Sequence, residues 1–352
     1  MPKITNLFRE KVYIFGQQPE VFESEKQLIN SIFWEQVLEN PSEIKFVDAN
    51  VDNDLFFVKN KDGNFFVKLT LDSEKSNLEN EFKILDLNIE HLITPFPIAN
   101  GFSDFINDIE YSIISEIPAP NLSDFGIFNL LNNPEAVNNF FNKLSLFKAP
   151  SGLRSFNQYC QHYLSFDIFK LPNIEISWIE NHEKIKKIAQ EQVVYLQKIL
   201  KEKLKNFNMP KVHVCHGNLN TSTILVLGDY VHAVNWENAY HGDLYFELCN
   251  LKYELFFDDS VEKEMIANFA ETTTYKISND RLKEYALFAK YFQLLKIIVD
   301  YLYETYVLEA KRQNKIINCA IKLSKNYDTF YQLPDFDKNL KPIAEFFTES
   351  VI

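Results

Sequence analysis

The sequence predicts an α+β fold in two lobes, a small antiparallel β-sheet with one helix followed by a larger, mainly helical part. Three observations carry that expectation. The chain has 352 residues, long for a single hydrophobic core and suited to two. Between Ile44 and Leu71, apolar runs of strand length alternate with turn residues. From about residue 121 onward, the apolar residues recur mostly at helical spacing.

The first segment, Phe22–Glu39, reads as a helix, with Leu28, Ile29, Ile32, Phe33, Val37 and Leu38 at helical spacing and Asn40-Pro41 ending it. Ile44–Val47, Leu55–Lys59 and Phe65–Leu71 follow as strands, with a hairpin turn at Lys61-Asp62-Gly63-Asn64. The segment Leu78-Glu79-Asn80-Glu81-Phe82-Lys83-Ile84-Leu85 follows. Thr94-Pro95-Phe96-Pro97 is held extended by its prolines, and Tyr111–Ile117 is the next strand. Farther on, Glu183–Phe207 puts Ile185, Ile188, Ala189, Leu196, Ile199, Leu200 and Leu204 on one face, with lysines and glutamates on the other. Arg281–Lys311 is apolar almost all round, which predicts a buried helix, and Ile316–Leu323 continues it. The tail after Tyr331 contains Pro334 and Pro342 and reads as a loosely packed strap. The expected organisation is an N-terminal helical extension over 1–40, a small lobe over 41–117 and a helical lobe over 118–352.

Composition narrows the partners. The net charge of −13 argues against nucleic acid and anionic membrane surfaces, and is compatible with a cationic small molecule. The four cysteines, Cys160, Cys215, Cys249 and Cys319, form no C-x-x-C pair and suit reduced, buried thiols. Charges at Lys3, Arg9, Glu10 and Lys11 break any signal-peptide core, and no run approaches the roughly 18 apolar residues of a membrane span. A cytoplasmic location is the expectation.

The stretch Val212–Glu254 organises the chain. Strands Val212–Cys215 and Ile224–Leu227 flank a polar turn. Tyr230–Val234 follows across Gly228-Asp229 and ends at Asn235-Trp236-Glu237. Such an array holds polar loop residues at the ends of rigid strands, where chemistry is commonly carried. His213, His216, His232 and His241 lie here beside Cys215, but their spacing fits no zinc pattern. No G-x-S-x-G nucleophile turn occurs.

This stretch resembles the aminoglycoside phosphotransferase and choline kinase family, whose frame is H-G-D-x-x-x-x-N, an apolar strand, then I-D-[WF]-E. The chain has His216-Gly217-Asn218, Thr223 at the loop Asn position, and Val234-Asn235-Trp236-Glu237. Gly242-Asp243 and Glu247 resemble the family's G-D-x-x-x-D. Upstream, Lys68 in Phe66-Val67-Lys68-Leu69 resembles the strand lysine that contacts nucleotide phosphates, and Glu81 resembles its helix partner. Thr94-Pro95-Phe96-Pro97 matches the family's P-x-P. Ser115-Glu116-Ile117-Pro118-Ala119 resembles the hinge, where backbone groups of Glu116 and Ile117 would hold an adenine edge. Ala136–Leu146 resembles a helix that ends in Leu-His, with Phe147 in place of the His. The resemblance implies a two-lobe protein-kinase-like fold, with ATP and magnesium as possible cofactors.

The departures fall on the residues that do the family's chemistry. Asn218 stands where the catalytic Asp belongs, Thr223 and Asn235 where metal-binding Asn and Asp belong. In kinase-like transfer the loop Asp takes the acceptor's proton and the other two hold magnesium. An Asn carboxamide is neutral and a very poor base, and general base work is worth roughly 10²–10⁴-fold in rate. Magnesium favours carboxylates and phosphates, for which Glu237, Asp243 and Glu247 are possible substitutes. The loop Ala49–Asp54, which would lie over the phosphates, has two Asp and no Gly. His216 reads as a loop-bracing residue that bonds backbone near Asn235. Three readings follow. One is a degenerate, pseudokinase-like protein that binds a small molecule or protein partner. Another is an active phosphotransferase with relocated acidic groups. The last is a scaffold with a collapsed cleft.

Overall fold

The computed structural model describes Leu38 and residues 41–49, 54–70, 77–102, 110–122, 126, 130, 134–172, 182–307 and 313–333. The expected helix Phe22–Glu39 lies outside the described residues apart from Leu38. So do residues 50–53 of the phosphate-loop counterpart, and the tail beyond Leu333. The chain forms two compact units that are discontinuous in sequence. The first draws on Met1–Leu153 and Ser222–Ala239, the second on Arg154–Thr221 and Tyr240–Ile352. The hairpin after the polar loop thus belongs with the sheet, although it follows Ile117, the expected end of the small lobe, by more than a hundred residues.

The sheet of the first unit is antiparallel throughout. Its strands are β1 (Glu43–Ala49), β2 (Asp54–Asn60), β3 (Gly63–Thr70), β4 (Pro97–Phe102) and β5 (Glu110–Ser115), in the order β1-β2-β3-β5-β4. The β2–β3 turn is tighter than the sequence suggests. Asn60 and Gly63 already pair, and Asn60 Oδ1 accepts the N–H groups of Asp62 and Gly63 at 2.8 and 3.1 Å. Successive side chains alternate between sheet faces. Phe65, Val67 and Leu69 therefore join Phe56, Val58, Ile113 and Leu38 in one buried cluster, and Lys68 points to the opposite face. Helix α1 (Leu78–Leu87) buries Leu78, Glu81, Ile84 and Leu85 along one stripe. Asn88 anchors its end, donating to Ile84 O and pairing with the Lys148 backbone in both directions. Helix α2 (Pro134–Leu144) completes the helices of this unit among the described residues.

The second unit is mainly helical: α3 (Phe156–Leu164), α4 (His182–Asn206), then α5 (Leu244–Leu255), α6 (Asp259–Thr272), α7 (Asn279–Leu302), α8 (Gln313–Lys325) and α9 (Tyr327–Tyr331). The single long helix expected over Arg281–Lys311 stops being α-helical at Leu302, where the backbone widens into a π turn over Tyr303–Val307. Apolar composition all round reports burial and is silent about such a break. Between α4 and α5 the chain makes four short strands, β6 (His213–Cys215), β7 (Ile224–Leu227), β8 (Tyr230–Ala233) and β9 (Tyr240–Gly242). β6 pairs with β9 in the second unit, and β7 pairs with β8 in the first.

The abundant phenylalanines have a place in the second unit. Phe156 meets Phe207, Tyr240, Phe246 and Phe288 with ring centroids 4.9–5.7 Å apart. Tyr240 is fully buried and stacks on Tyr159 at 4.4 Å. A methyl group on Gly242 would stand 2.5 Å from Tyr240 Cε2 and 3.3 Å from Cys215 Sγ. Tyr240 is clamped and cannot yield. Gly242→Ala is expected to destabilise the protein by about 1–3 kcal/mol through overpacking, measured as a lower midpoint in urea unfolding.

Candidate functional site

In the first unit the candidate residues converge on Lys68. β3 carries it at a position paired with Leu55 on one side and Ser112 on the other. Its ammonium, 2% exposed, donates to both oxygens of Glu81 at 2.8 Å and to Glu237 Oε1 at 2.6 Å. An ammonium has three N–H groups, and three carboxylate oxygens take them. Glu81 Oε1 also accepts the Trp236 backbone N–H at 2.8 Å. Burial disfavours the charged lysine, but Glu237 and Glu81 outweigh it and hold its pKa above the ordinary value. Burial pushes the Glu81 carboxyl up against the pull of Lys68, and the nearby Glu237 charge adds to the rise.

Glu237 reaches Lys68 because the turn before it is rigid. Asn235 takes the left-handed conformation (φ 66°, ψ 62°) and starts a 3₁₀ turn over Trp236–Asn238, a backbone state that asparagine tolerates better than most residues. The Trp236 indole N–H donates to Ala233 O at 2.9 Å, and its ring stacks on Phe147, which stacks on His91. Phe147, read as replacing the family's histidine, is thus an aromatic wedge. Thr223 is buried, and its carbonyl accepts the Val234 N–H at 3.0 Å, at the open end of the β7–β8 hairpin beside Asn235. At the hinge counterpart, the Glu116 N–H donates to Asn64 O, Glu116 Oε2 accepts from Asn64 Nδ2, and Ile117 O accepts from the Ala119 N–H.

In the second unit the loop His216-Gly217-Asn218 follows β6. Gly217 has φ 78°, a region that glycine occupies without penalty. Its N–H donates to both oxygens of Glu247, and its carbonyl accepts from the Tyr159 hydroxyl at 2.8 Å. His216 is fully buried, and its Nδ1 accepts the Asn218 N–H at 3.2 Å, bracing its own loop. Asn218 Oδ1 accepts from Lys296 Nζ and from Asn220 Nδ2, each at 3.2 Å. Lys296 also donates to Glu254 Oε1 at 2.8 Å, and Lys322 bonds the other Glu254 oxygen.

Asp243 caps helix α5. One oxygen accepts the Tyr245 N–H at 3.0 Å and the other accepts the Tyr285 hydroxyl at 2.9 Å. Burial raises its pKa against those bonds. His213 lies 3.9 Å from Asp243, and burial, then repulsion from His241, brings it down to about 4. Among the described residues, no group of three or more His, Cys, Asp or Glu side chains is arranged to hold a metal ion.

Sequence reasoning missed Lys296, Glu254 and Lys322. The signal was present in Leu294-Leu295-Lys296-Ile297-Ile298. A lysine inside a helix apolar on all sides must be buried, and a buried charge must be paired.

No protein-family model matches the chain, and no curated protein sequence matches it. Solved structures do match in fold. A choline/ethanolamine kinase family protein from Mesorhizobium loti is 13% identical over 92% of this chain and 99% of its own, with a TM-score of 0.54. A Plasmodium vivax ethanolamine kinase is 15% identical over 96% and 95%, with a TM-score of 0.57. A spectinomycin phosphotransferase solved with ADP and spectinomycin is 14% identical over 92% and 98%, with a TM-score of 0.53. The chain therefore has the two-lobe protein-kinase-like α+β fold of these proteins. Among the described residues, no helix is long and apolar enough to cross a membrane.

The buried carboxylates give a pH signature. Burial raises Glu247 to about 7 from 4.5, against the Gly217 N–H and Lys296. A folded pKa above the unfolded one stabilises fully below about 4.5, and that stability is lost as pH rises through about 7. The loss amounts to about 3 kcal/mol. Glu254 is the opposite case. Burial would raise it, but Lys296 and Lys322 hold it at about 2, so its contribution is lost as pH falls from 4.5 toward 2. Glu247→Gln keeps an acceptor for Gly217 and cannot ionise. Its stability relative to wild type is expected to rise by about 2–3 kcal/mol between pH 5 and pH 8, read from urea unfolding at both values.

Proposed function

We propose that this chain is a phosphotransferase-like protein whose phosphoryl-transfer chemistry is degenerate, and that it acts by binding a small molecule or a protein partner. The observation that carries the reading is Asn218, a neutral carboxamide at the base position with its oxygen held by Lys296 and Asn220. The proton acceptor that kinase-like transfer uses is missing there.

ATP and magnesium are the cofactors that the fold suggests, and the residues fit them poorly. All three N–H groups of Lys68 are bonded to carboxylates, and the two carboxylates leave that cluster with a negative excess that repels phosphate. Asn235 and Thr223 supply uncharged oxygens, whereas magnesium takes carboxylates together with phosphates. Asp243 has both oxygens engaged in capping and in bonding Tyr285.

One observation favours the second reading, an active enzyme with a relocated acid. Glu237 lies two residues past Asn235 and bonds Lys68 through one oxygen. Released from Lys68, it would restore the charge missing at Asn235. Calorimetric titration with ATP, with and without magnesium, separates the readings. The expected outcome is no magnesium-dependent binding, and Glu237→Gln is expected to leave binding unchanged or tighten it, since Lys68 then faces one counter-charge. Tight binding that requires magnesium and disappears in Glu237→Gln would overturn the degenerate reading in favour of the active one. Absence of binding in every arm fits the proposal and turns the search to protein partners.

A further inference from the structure

We propose that His232 is a proton-operated latch on the β7–β8 hairpin. With a neutral imidazole the hairpin stays seated on the first unit. With a protonated one it loosens and carries Glu237 away from Lys68. The inference concerns the regulation of the Lys68 cluster and holds whether or not the transfer chemistry is degenerate.

Both ring nitrogens of His232 are buried and have no hydrogen-bond partner among the described residues. A neutral imidazole carries one donor and one acceptor, and both are unmet here. Few buried polar groups in folded proteins are left in that state. Protonation adds a second N–H donor and a charge at the same place. Burying a charge without a partner is far less favourable than burying a neutral polar group. The penalty is relieved when the ring reaches water, which draws β8 away from its cover. The hairpin's backbone attachments lie close by. The Val226 N–H donates to Pro120 O at 3.1 Å, and the Ala233 N–H donates to Ile93 O at 2.9 Å. Ala233 directly follows His232, and the turn that carries Glu237 starts two residues later at Asn235.

The surroundings oppose an imidazolium. Tyr230 and His232 share one face of β8, because alternate residues of a strand do so, and α2 packs on that strand. Lys143, near the end of α2, holds its ammonium 5.7 Å from the Tyr230 ring centroid. The other charged residue of α2, Glu135, stands in its first turn, about 12 Å away along the helix axis. His232 pairs with Leu225 of β7, a strand without titratable residues. Asp229 lies in the turn beyond Tyr230, at the exposed end of the hairpin. Burial, then the Lys143 charge, lowers the His232 pKa from 6.5. A folded pKa below the unfolded one gives stability that is full above the unfolded value and lost as pH falls through the folded one.

Hydrogen exchange of the full chain at pH 7.5 and pH 5.5, either side of the ordinary histidine pKa, tests the latch. It is read as protection factors, which removes the intrinsic pH dependence of exchange. The amides of Val226, Ala233 and Trp236, bonded to Pro120, Ile93 and Glu81, are expected to lose protection severalfold at pH 5.5, while those of β2 and β3 hold. His232→Phe cannot be protonated and is expected to abolish the loss. His232→Gln gives the same readout should the phenylalanine variant not fold. Lys143→Met keeps the imidazole and removes the repelling charge, so a smaller loss is expected. Hairpin protection that is equal at the two pH values in the wild type overturns the inference. So does a loss that persists without His232, one that Lys143→Met does not reduce, or one shared equally by β2 and β3, which would be global unfolding. The two proposals fail separately. Tight magnesium-dependent ATP binding would remove the degenerate reading and leave the latch standing. A hairpin insensitive to pH would remove the latch and leave the reading of Asn218 untouched.

Discussion

The first unit is tied together at the Lys68 ammonium. Its three bonds reach α1 through Glu81 and the turn after β8 through Glu237, a partner 169 residues away in sequence. A buried ion left unpaired is heavily penalised, and removing one member of a buried pair typically costs about 3–5 kcal/mol. The same carboxylate that holds Lys68 also takes the Trp236 N–H, so helix, strand and turn are fixed by one cluster. The aromatic stack of Trp236, Phe147 and His91 extends that fixation into the segment after α2. Docking of the β7–β8 hairpin onto this unit is completed by two backbone bonds, Val226 N–H to Pro120 O and Ala233 N–H to Ile93 O.

The second unit solves the same problem with more charges. Every residue of α5 is buried, including Glu247, Lys252 and Glu254. Each has an assigned partner: the Gly217 backbone for Glu247, Asp259 and Glu262 for Lys252, Lys296 and Lys322 for Glu254. These pairs set how α5 meets α6, α7 and α8. Apolar contacts alone would tolerate a slip along the helix axis, whereas a carboxylate shared by two lysines permits little. Such pairs are weak contributors to net stability but can discriminate strongly between alternative packings.

Much of the strand pattern was legible because it rests on local rules. Apolar runs of strand length gave β2 and β3, and the turn read at Lys61–Asn64 lies one residue later than the one closed by the Asn60–Gly63 pair. The end of α7 was not legible, since uniform apolarity describes burial and carries no information about a π turn. Pairing over long sequence separation was legible only where a known frame supplied it, as for Lys68 and Glu81. Glu237 as a third member was invisible, because its approach depends on the left-handed backbone at Asn235. Asp243 illustrates an ambiguity of a different kind. A carboxylate before an apolar helical run has both a capping reading and a metal reading, and the structure places this one at the N-cap, where Asp is favoured on physical grounds alone.

Phosphoryl transfer in a kinase-like fold needs a cation available to the phosphates and a carboxylate available to the acceptor. In this chain the Lys68 ammonium is bonded to carboxylates and the Asn218 side chain is neutral. The first unit surrounds its lysine with two carboxylates, so the charge available there is negative. In the second unit the loop side chain Asn218 is a neutral amide whose oxygen is held by Lys296 and Asn220. Lys68 and the Asn218 side chain are each bonded into a network of buried and half-buried groups at distances of 2.6–3.2 Å. Building such networks carries a desolvation penalty for every ion, and they persist only where the surrounding packing favours them.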